Sequence, residues 1–161
     1  MLFEYMKTPL NKYTFSNKRI KGWVEQNCRG KVLNLFAGKT HLNVQETRND
    51  IDPNMPANYH LDARECAETL LRNKETYDTI VLDPPYAYRK SMEFYNGYVA
   101  SPFNQLKNTI KEIVATNGCV ITFGYHSVSM GQKRGFEQEK ILLMYHGGAI
   151  HDTIAVIERK T

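Results

Sequence analysis

The feature that most constrains the fold is an apolar run that ends abruptly in a rigid polar turn. Residues 79–82 read Thr-Ile-Val-Leu and are followed at once by Asp83-Pro84-Pro85-Tyr86. A short apolar run bounded by turn residues is typical of a strand that is buried on both faces. Proline has a fixed φ and no N–H, so a regular strand does not continue through Pro84 and Pro85. The sequence therefore predicts a buried strand whose carboxyl end presents an acid, a stiff corner and an aromatic ring.

The tetrad Asp83-Pro84-Pro85-Tyr86 has the groups needed to hold a flat amine. The lone pair of an amino nitrogen on a purine or pyrimidine is conjugated with the ring, so the nitrogen is a poor nucleophile until acceptors engage its N–H bonds. Asp83 offers a carboxylate, the proline corner offers carbonyls, and Tyr86 can stack on the ring. The alternative interpretation is structural, since a strand can simply end in a proline turn. Other segments of the chain must decide between the two.

A second apolar segment, Lys31 to Gly38, predicts another strand, and this one ends in small residues. Ligands bind at the carboxyl ends of the strands in open parallel sheets. Phe36, Ala37 and Gly38 stand at such an end, and the small residues allow the backbone to approach a ligand closely. The segment therefore predicts one wall of a ligand site.

Three acids follow at comparable positions. Asp50 and Asp52 come after a second short strand, and Asp62 comes before a helical stretch. A carboxylate at this edge of a sheet can accept both hydroxyls of a ribose. Each acid taken alone is more typical of a turn or a helix cap.

In this order, the segments resemble the class I S-adenosylmethionine-dependent methyltransferases that modify exocyclic amino groups. The resemblance covers roughly residues 13 to 160. Its specific part is the tetrad, because D/N-P-P-Y/F is the signature of adenine N6, cytosine N4 and guanine N2 methylases. The first motif departs from the family, which usually has a more glycine-rich F-x-G-x-G where this chain has Phe36-Ala37-Gly38-Lys39-Thr40.

The resemblance implies an α/β fold: a Rossmann-like, mostly parallel sheet with a C-terminal antiparallel strand pair and helices on both faces. The length and composition predict one domain over residues 1–161, with residues 1–30 packed on it as a basic, aromatic segment. The resemblance also implies catalysis by the tetrad residues, Asp83, Pro84, Pro85 and Tyr86.

S-adenosylmethionine is the cofactor that the resemblance implies. Asp50 is expected on its ribose, with Asp52 as the alternate ligand, and Asp62 near its adenine amine. Phe15 is expected over the methionine end, with a core phenylalanine as the alternative. The remaining residues expected at the cofactor are Phe36, Ala37, Gly38 and Asp83.

Other classes of site fit the sequence poorly. Gly38-Lys39-Thr40 looks like the end of a phosphate-binding loop, but Leu33 stands where that motif requires glycine, and Gly-x-Gly-x-x-Gly is absent. The five histidines lack metal-ligand spacing, so we expect no metal. The three cysteines are widely separated and predict buried or half-buried thiols rather than a disulfide framework.

Basic charge is concentrated in residues 1–31, which carry seven Lys and Arg against two Glu, interleaved with aromatic residues. This pattern suits a phosphate backbone with ring surfaces for bases. The alternative is an amphipathic helix from Asn17 to Asn27 that packs Ile20, Trp23 and Val24 inward. Arg89 and Lys90, just past the tetrad, are the predicted contacts to nucleic-acid phosphates.

We expect the substrate to be RNA, either ribosomal RNA or an assembling ribosomal subunit, with cytosine N4 or adenine N6 as the methylated group. DNA is less favoured, because DNA amino-methylases normally add a recognition domain and the residues after the tetrad are needed to finish the sheet. Small relatives resembling this chain modify ribosomal RNA. The alternatives are a DNA methylase, a non-catalytic RNA- or partner-binding subunit, and a methylase of proteins or small molecules. Without a membrane span or secretory segment, we expect a cytoplasmic protein.

The rest of the chain alternates between helices and strands. We predict helices over 64–74 and 103–115, a central strand over 118–124, and a terminal antiparallel pair over 140–145 and 150–157. Tyr125 and His126 follow the central strand at the ligand edge, where Tyr125 could line a base pocket and His126 more typically caps or faces solvent.

Overall fold

The computed structural model describes residues 1–85, 102–148 and 151–161. Its strands are β1 (Leu2–Lys7), β2 (Val32–Asn34), β3 (Glu46–Arg48), β4 (Tyr77–Leu82), β5 (Val114–Gly124), β6 (Phe136–Tyr145) and β7 (Thr153–Lys160). Its helices are α1 (Lys18–Asn27), α2 (Ala63–Arg72) and α3 (Pro102–Ile113).

The strands form one seven-stranded sheet in the order β1-β6-β7-β5-β4-β2-β3. Strands β2 to β5 pair in parallel, while β7 runs antiparallel to both β5 and β6. The predicted mostly parallel sheet with an antiparallel C-terminal pair is therefore confirmed. Strand β6 begins four residues earlier than predicted, whereas β7 has the predicted length of eight residues and lies three residues later. The carboxyl ends of β2, β3, β4, β5 and β6 consequently lie along the same edge, which we call the ligand edge.

Helix α1 covers one face of the sheet. The Asn17 side chain caps it by accepting hydrogen bonds from the backbone N–H groups of Arg19 and Ile20. Its buried residues are those that the amphipathic pattern predicts: Ile20, Trp23 and Val24. They join Phe15, Val32, Val81, Ile121 and Phe123 in one hydrophobic cluster.

Helices α2 and α3 cover the opposite face and pack on each other. Cys66 and Leu70 of α2 meet Leu106 and Ile110 of α3 in a second cluster, together with Leu33, Ile80 and Val120 from the sheet. Because the central strands β2, β4 and β5 contribute to both clusters, they are buried on both faces. This is the physical reason for their continuous apolar sequences.

Strand β1 was not predicted. It lies at the sheet edge, parallel to β6, with 61% of Phe3 and 60% of Tyr5 exposed. Phe15 and Trp23, two of the aromatic residues interleaved with the basic residues of segment 1–31, are buried, so the interpretation that they offer ring surfaces to bases is wrong. Their burial in the α1 cluster follows the amphipathic alternative.

The start of β5 also differs from the prediction. Helix α3 ends at Ile113 and β5 begins at Val114, upstream of the predicted start at residue 118. Asn117 has φ +60°, and a Cβ at Gly118 would lie 2.8 Å from the carbonyl oxygen of Ala115. The pairing with β4 shifts register near Tyr77. A local irregularity thus carries the chain from helix to strand without a loop.

The thiols follow the predicted burial, since Cys66 and Cys119 are buried and Cys28 is half-buried. Burial raises the pKa of Cys28 and of Cys66 to about 12. Both sulfurs are therefore protonated at neutral pH and behave as core residues.

Candidate active site

A cavity of about 1060 Å³ opens at the ligand edge. All predicted cofactor and catalytic residues within the described part of the chain line it: Phe15, Phe36, Ala37, Gly38, Asp50, Asp52, Asp62, Asp83, Pro84 and Pro85. The fold therefore brings together residues from five separate segments of the sequence. The volume is at the upper end of typical ligand pockets.

Strand β4 delivers the tetrad to this cavity. Leu82 is fully buried at the end of the strand, Asp83 is half-buried, Pro84 is buried and Pro85 is exposed. The acid and the proline corner thus stand at the boundary between the core and the cavity, as predicted. Tyr86, Arg89 and Lys90 lie outside the described residues.

The loop after β2 forms a second wall. Leu35 and Ala37 are buried, and the backbone N–H of Ala37 donates to the carbonyl of Asn49. Gly38 has φ +62°, and a Cβ added there would meet no heavy atom within 4 Å. The conformation, rather than a lack of space, therefore requires glycine at this position.

A buried arginine fixes this loop. Arg48, at the end of β3, is 3% exposed. Its guanidinium donates from all five N–H groups at 2.6–3.2 Å, to the Glu46 carboxylate and to the carbonyls of Ala37, Gly38, Thr40 and Pro56. Glu46 itself has a side chain only 4% exposed. The Arg48–Glu46 pair fixes the conformation of this loop, which has fewer glycines than the methyltransferase motif that it resembles. The sequence analysis did not predict this pair.

Asp50 braces the same loop from the cavity side. Its Oδ2 accepts a hydrogen bond of 2.8 Å from the backbone N–H of Gly38, and its Oδ1 accepts one of 3.0 Å from that of Asp52. Each carboxylate oxygen has further lone pairs, so the group can still accept from a ligand. Asp50 therefore has a structural task in addition to the predicted ligand contact.

Asp52 and Asp62 also carry local hydrogen bonds. Asp52 accepts from the backbone N–H of Asn54, and the exposed Asp62 caps α2 by accepting from that of Arg64. Both roles are those that turn and cap statistics favour. Both side chains nevertheless line the cavity. A cap and a ligand contact are compatible because a carboxylate has several lone pairs.

The opposite wall comes from the end of β5 and from the terminal strand pair. Tyr125, His146, His151 and Thr153 line it. The rings of Tyr125 and His151 are 5.1 Å apart. His146 Nδ1 lies 2.9 Å from the carbonyl oxygen of Thr8 and therefore donates to it, which leaves Nε2 to accept from the Thr153 hydroxyl at 2.8 Å.

Sequence reasoning placed Tyr125 near this site but missed the two histidines and Thr153. The available signal was topological, because a strand antiparallel to β5 must begin at the ligand edge. The turn between β6 and β7 therefore had to reach that edge. His126 is exposed and does not line the cavity.

Within the described ranges, no group of three or more His, Cys, Asp or Glu side chains could hold a metal ion. In the same ranges, no helix is long and apolar enough to span a bilayer.

No protein-family model and no curated protein matches the sequence. Solved structures do share its fold. A candidate methyltransferase in complex with SAH has a TM-score of 0.64 at 15% identity, covering 92% of this chain and 50% of its own. TrmN from Thermus thermophilus has a TM-score of 0.58 at 14% identity, covering 88% and 48%. The N-methyltransferase NodS from Bradyrhizobium japonicum has a TM-score of 0.54 at 12% identity, covering 94% and 99%.

The strand order and these superpositions define a Rossmann-like methyltransferase fold. The chain spans about half the length of the first two structures and nearly all of the third.

Proposed function

We propose that this chain transfers a methyl group from S-adenosylmethionine to an exocyclic amino group of a nucleobase. The observation that carries this proposal is the placement of Asp83-Pro84-Pro85 in the same cavity as Gly38, Asp50 and Asp62. An amine-holding corner and a set of ribose-type acceptors therefore face one space. The fold shared with an N-methyltransferase agrees with a nitrogen acceptor.

The residues present fit this cofactor. Gly38 offers backbone in the left-handed conformation, and Asp50, Asp52 and Asp62 offer carboxylates for hydroxyl and amine donors. Phe15, buried at the cavity wall, would contact the methionine end. When bound, S-adenosylmethionine supplies an electrophilic methyl group on a sulfonium.

The protein contributes alignment and acceptors. Asp83 and the carbonyls of the proline corner engage the amine N–H bonds, which turns the nitrogen lone pair toward the methyl group. With the cofactor bound, the nitrogen would become cationic as it accepts the methyl group from the sulfonium, which would leave as a thioether, and Asp83 or water would take the amine proton. Alignment of reactants accounts for several kcal/mol of such barriers, on the order of 7–11 at most. The carboxylate adds electrostatic stabilisation of the developing charge.

RNA is the substrate we favour, as ribosomal RNA methylated at cytosine N4 or adenine N6. An unpaired base in structured RNA can enter the cavity without first leaving a duplex stack. The exposed basic residues beside the cavity suit a phosphate backbone.

The test measures transfer of labelled methyl groups to ribosomal RNA, single-stranded DNA and duplex DNA, followed by mass spectrometry of the nucleosides. We expect Asp83→Ala to lower turnover by roughly 100-fold or more, since a positioned acid–base group contributes at least that much. Its affinity for S-adenosylmethionine should change little. Glu137→Ala, which removes an exposed carboxylate outside the cavity, is the matched control.

Three outcomes would contradict the proposal in different ways. Near-normal turnover by Asp83→Ala would show that the tetrad does not take part in methyl transfer. Methylation of a peptide but of no nucleic acid would exclude the nucleobase. Absence of S-adenosylmethionine binding by the wild-type protein in calorimetry would favour a non-catalytic binding subunit.

A further inference from the structure

Two lysines converge on one aromatic ring at the mouth of the cavity. The Lys12 ammonium lies 5.4 Å from the centroid of the Tyr13 ring, and the Lys39 ammonium lies 4.3 Å from it. Lys12 comes from the segment between β1 and α1, whereas Lys39 comes from the loop after β2. Both lysines are exposed, Tyr13 is half-buried, and all three line the cavity.

These two cations lack the ion pairs that several other lysines of the protein form. Lys21, Lys31 and Lys140 each form an ion pair with a glutamate. Among the residues that the structure describes, neither Lys12 nor Lys39 has an acidic partner within 4.0 Å. Each ammonium is attracted by the same ring, but the two repel each other. An anion that contacts both ammonium groups would offset that repulsion.

We propose that Lys12, Tyr13 and Lys39 form an oxyanion site that binds a backbone phosphate of the polynucleotide beside the methylated base. This inference rests on the proposed function and adds a phosphate contact to it. Lysine binds phosphate as a point charge and needs no planar fork, so two exposed ammonium groups suffice. The Tyr13 ring, which both ammonium groups approach, keeps them at the mouth of the cavity. A phosphate held there anchors the nucleotide whose base reaches Asp83.

The same chemistry could serve the carboxylate at the methionine end of S-adenosylmethionine. The exposure of both lysines favours the phosphate, because Gly38, Asp50 and Asp52, which are predicted to hold the cofactor, are half-buried. The two candidate ligands predict different effects of replacing the lysines. A cofactor carboxylate would alter S-adenosylmethionine binding, whereas a phosphate would alter the salt dependence of RNA binding.

The test uses Lys12→Met, Lys39→Met and the double variant. Lys133→Met is the control, because Lys133 is exposed, lies just before β6 at the opposite edge of the sheet and carries the same charge. Fluorescence anisotropy with labelled oligocytidylate and oligoadenylate gives affinity across a salt titration. Calorimetry gives S-adenosylmethionine affinity for the same proteins.

We expect the slope of log K against log salt to fall in magnitude by about 0.7 for each phosphate contact that is lost. Lys133→Met should leave the slope unchanged, and none of the variants should alter S-adenosylmethionine affinity. A tenfold loss of cofactor affinity with an unchanged slope would assign the site to the cofactor carboxylate and overturn the proposal. Unchanged values for both ligands would show that no anion binds there.

Methyl transfer by the wild-type protein separates this inference from the proposed function. If the protein methylates RNA while the double variant keeps the wild-type slope, only the oxyanion site is refuted. If the wild type neither binds the oligonucleotides nor methylates RNA, the nucleic-acid function fails, and the phosphate assignment fails with it.

Discussion

Replacing Arg48 by lysine tests whether the buried arginine holds the loop after β2 in place. The arginine uses all five of its N–H donors, four on backbone carbonyls and one on the Glu46 carboxylate. Lysine has three donors and keeps the charge, so at least two acceptors lose their partner. At 1–3 kcal/mol for each buried acceptor, Arg48→Lys should cost roughly 2–6 kcal/mol of unfolding free energy.

Urea unfolding followed by circular dichroism measures that cost. Arg72→Lys, at the exposed end of α2, is the matched control and should remain within about 0.5 kcal/mol of wild type. The same loosening should weaken S-adenosylmethionine binding, about tenfold for every 1.4 kcal/mol by which the loop is destabilised. Wild-type stability and wild-type cofactor affinity in Arg48→Lys would refute the reasoning.

Removing the charge gives an independent check on the same pair. Arg48→Met leaves the Glu46 carboxylate buried without its partner, which typically costs about 3–5 kcal/mol. The double variant Glu46→Gln/Arg48→Met should recover part of this loss, because it no longer buries an unpaired charge. No recovery would mean that the carbonyl contacts, rather than the ion pair, account for the stabilisation.

Three further predictions address other residues. Asp50→Ala should weaken S-adenosylmethionine binding by roughly 1–3 kcal/mol, because it removes both the proposed ligand contact and the brace on Gly38; unchanged affinity in calorimetry would move the ribose contact to another acid. Phe15→Ala should lower stability by about 3–5 kcal/mol, because Phe15 packs edge-on against Phe123 at 5.6 Å; unchanged cofactor affinity of the folded variant would make Phe15 a core residue only. Burial lowers the pKa of Lys107 to about 8, so between pH 8 and 10.5 this residue binds more protons in the unfolded chain, and its contribution to stability should rise with pH there. Lys107→Met should flatten that rise in pH-dependent thermal melts, and an identical slope would contradict the burial effect.

Much of the sheet could be predicted because its central strands are buried on both faces. Ile80, Val81 and Leu82 leave no polar face, and the turn chemistry at Pro84 marks their end. The helix Lys18–Asn27 could also be predicted, from its N-cap residue and its apolar stripe. Strand β1 was not, because an edge strand with exposed Phe3 and Tyr5 has no hydrophobic periodicity that points to a core.

Site residues could be predicted only where both the residue type and its position at the end of a strand indicate a role. Asp83 and Gly38 stand at strand ends that the sequence itself marks. Arg48 gave no such signal, since its hydrogen bonds reach carbonyl groups, and every residue carries one. The opposite wall of the cavity, around His146, depends on long-range strand pairing that local patterns do not encode.

The position of β1 has a consequence for how the chain folds. Its neighbour Thr8 contacts His146, 138 positions later, and β1 itself pairs with residues 140–145. Contacts between such distant parts of the sequence are slow to form. During synthesis β1 therefore remains unpaired until residues 140–145 have emerged from the ribosome. Through that interval its apolar edge is open to other chains, so slowed translation or a weakened β6 would expose the protein to misassembly.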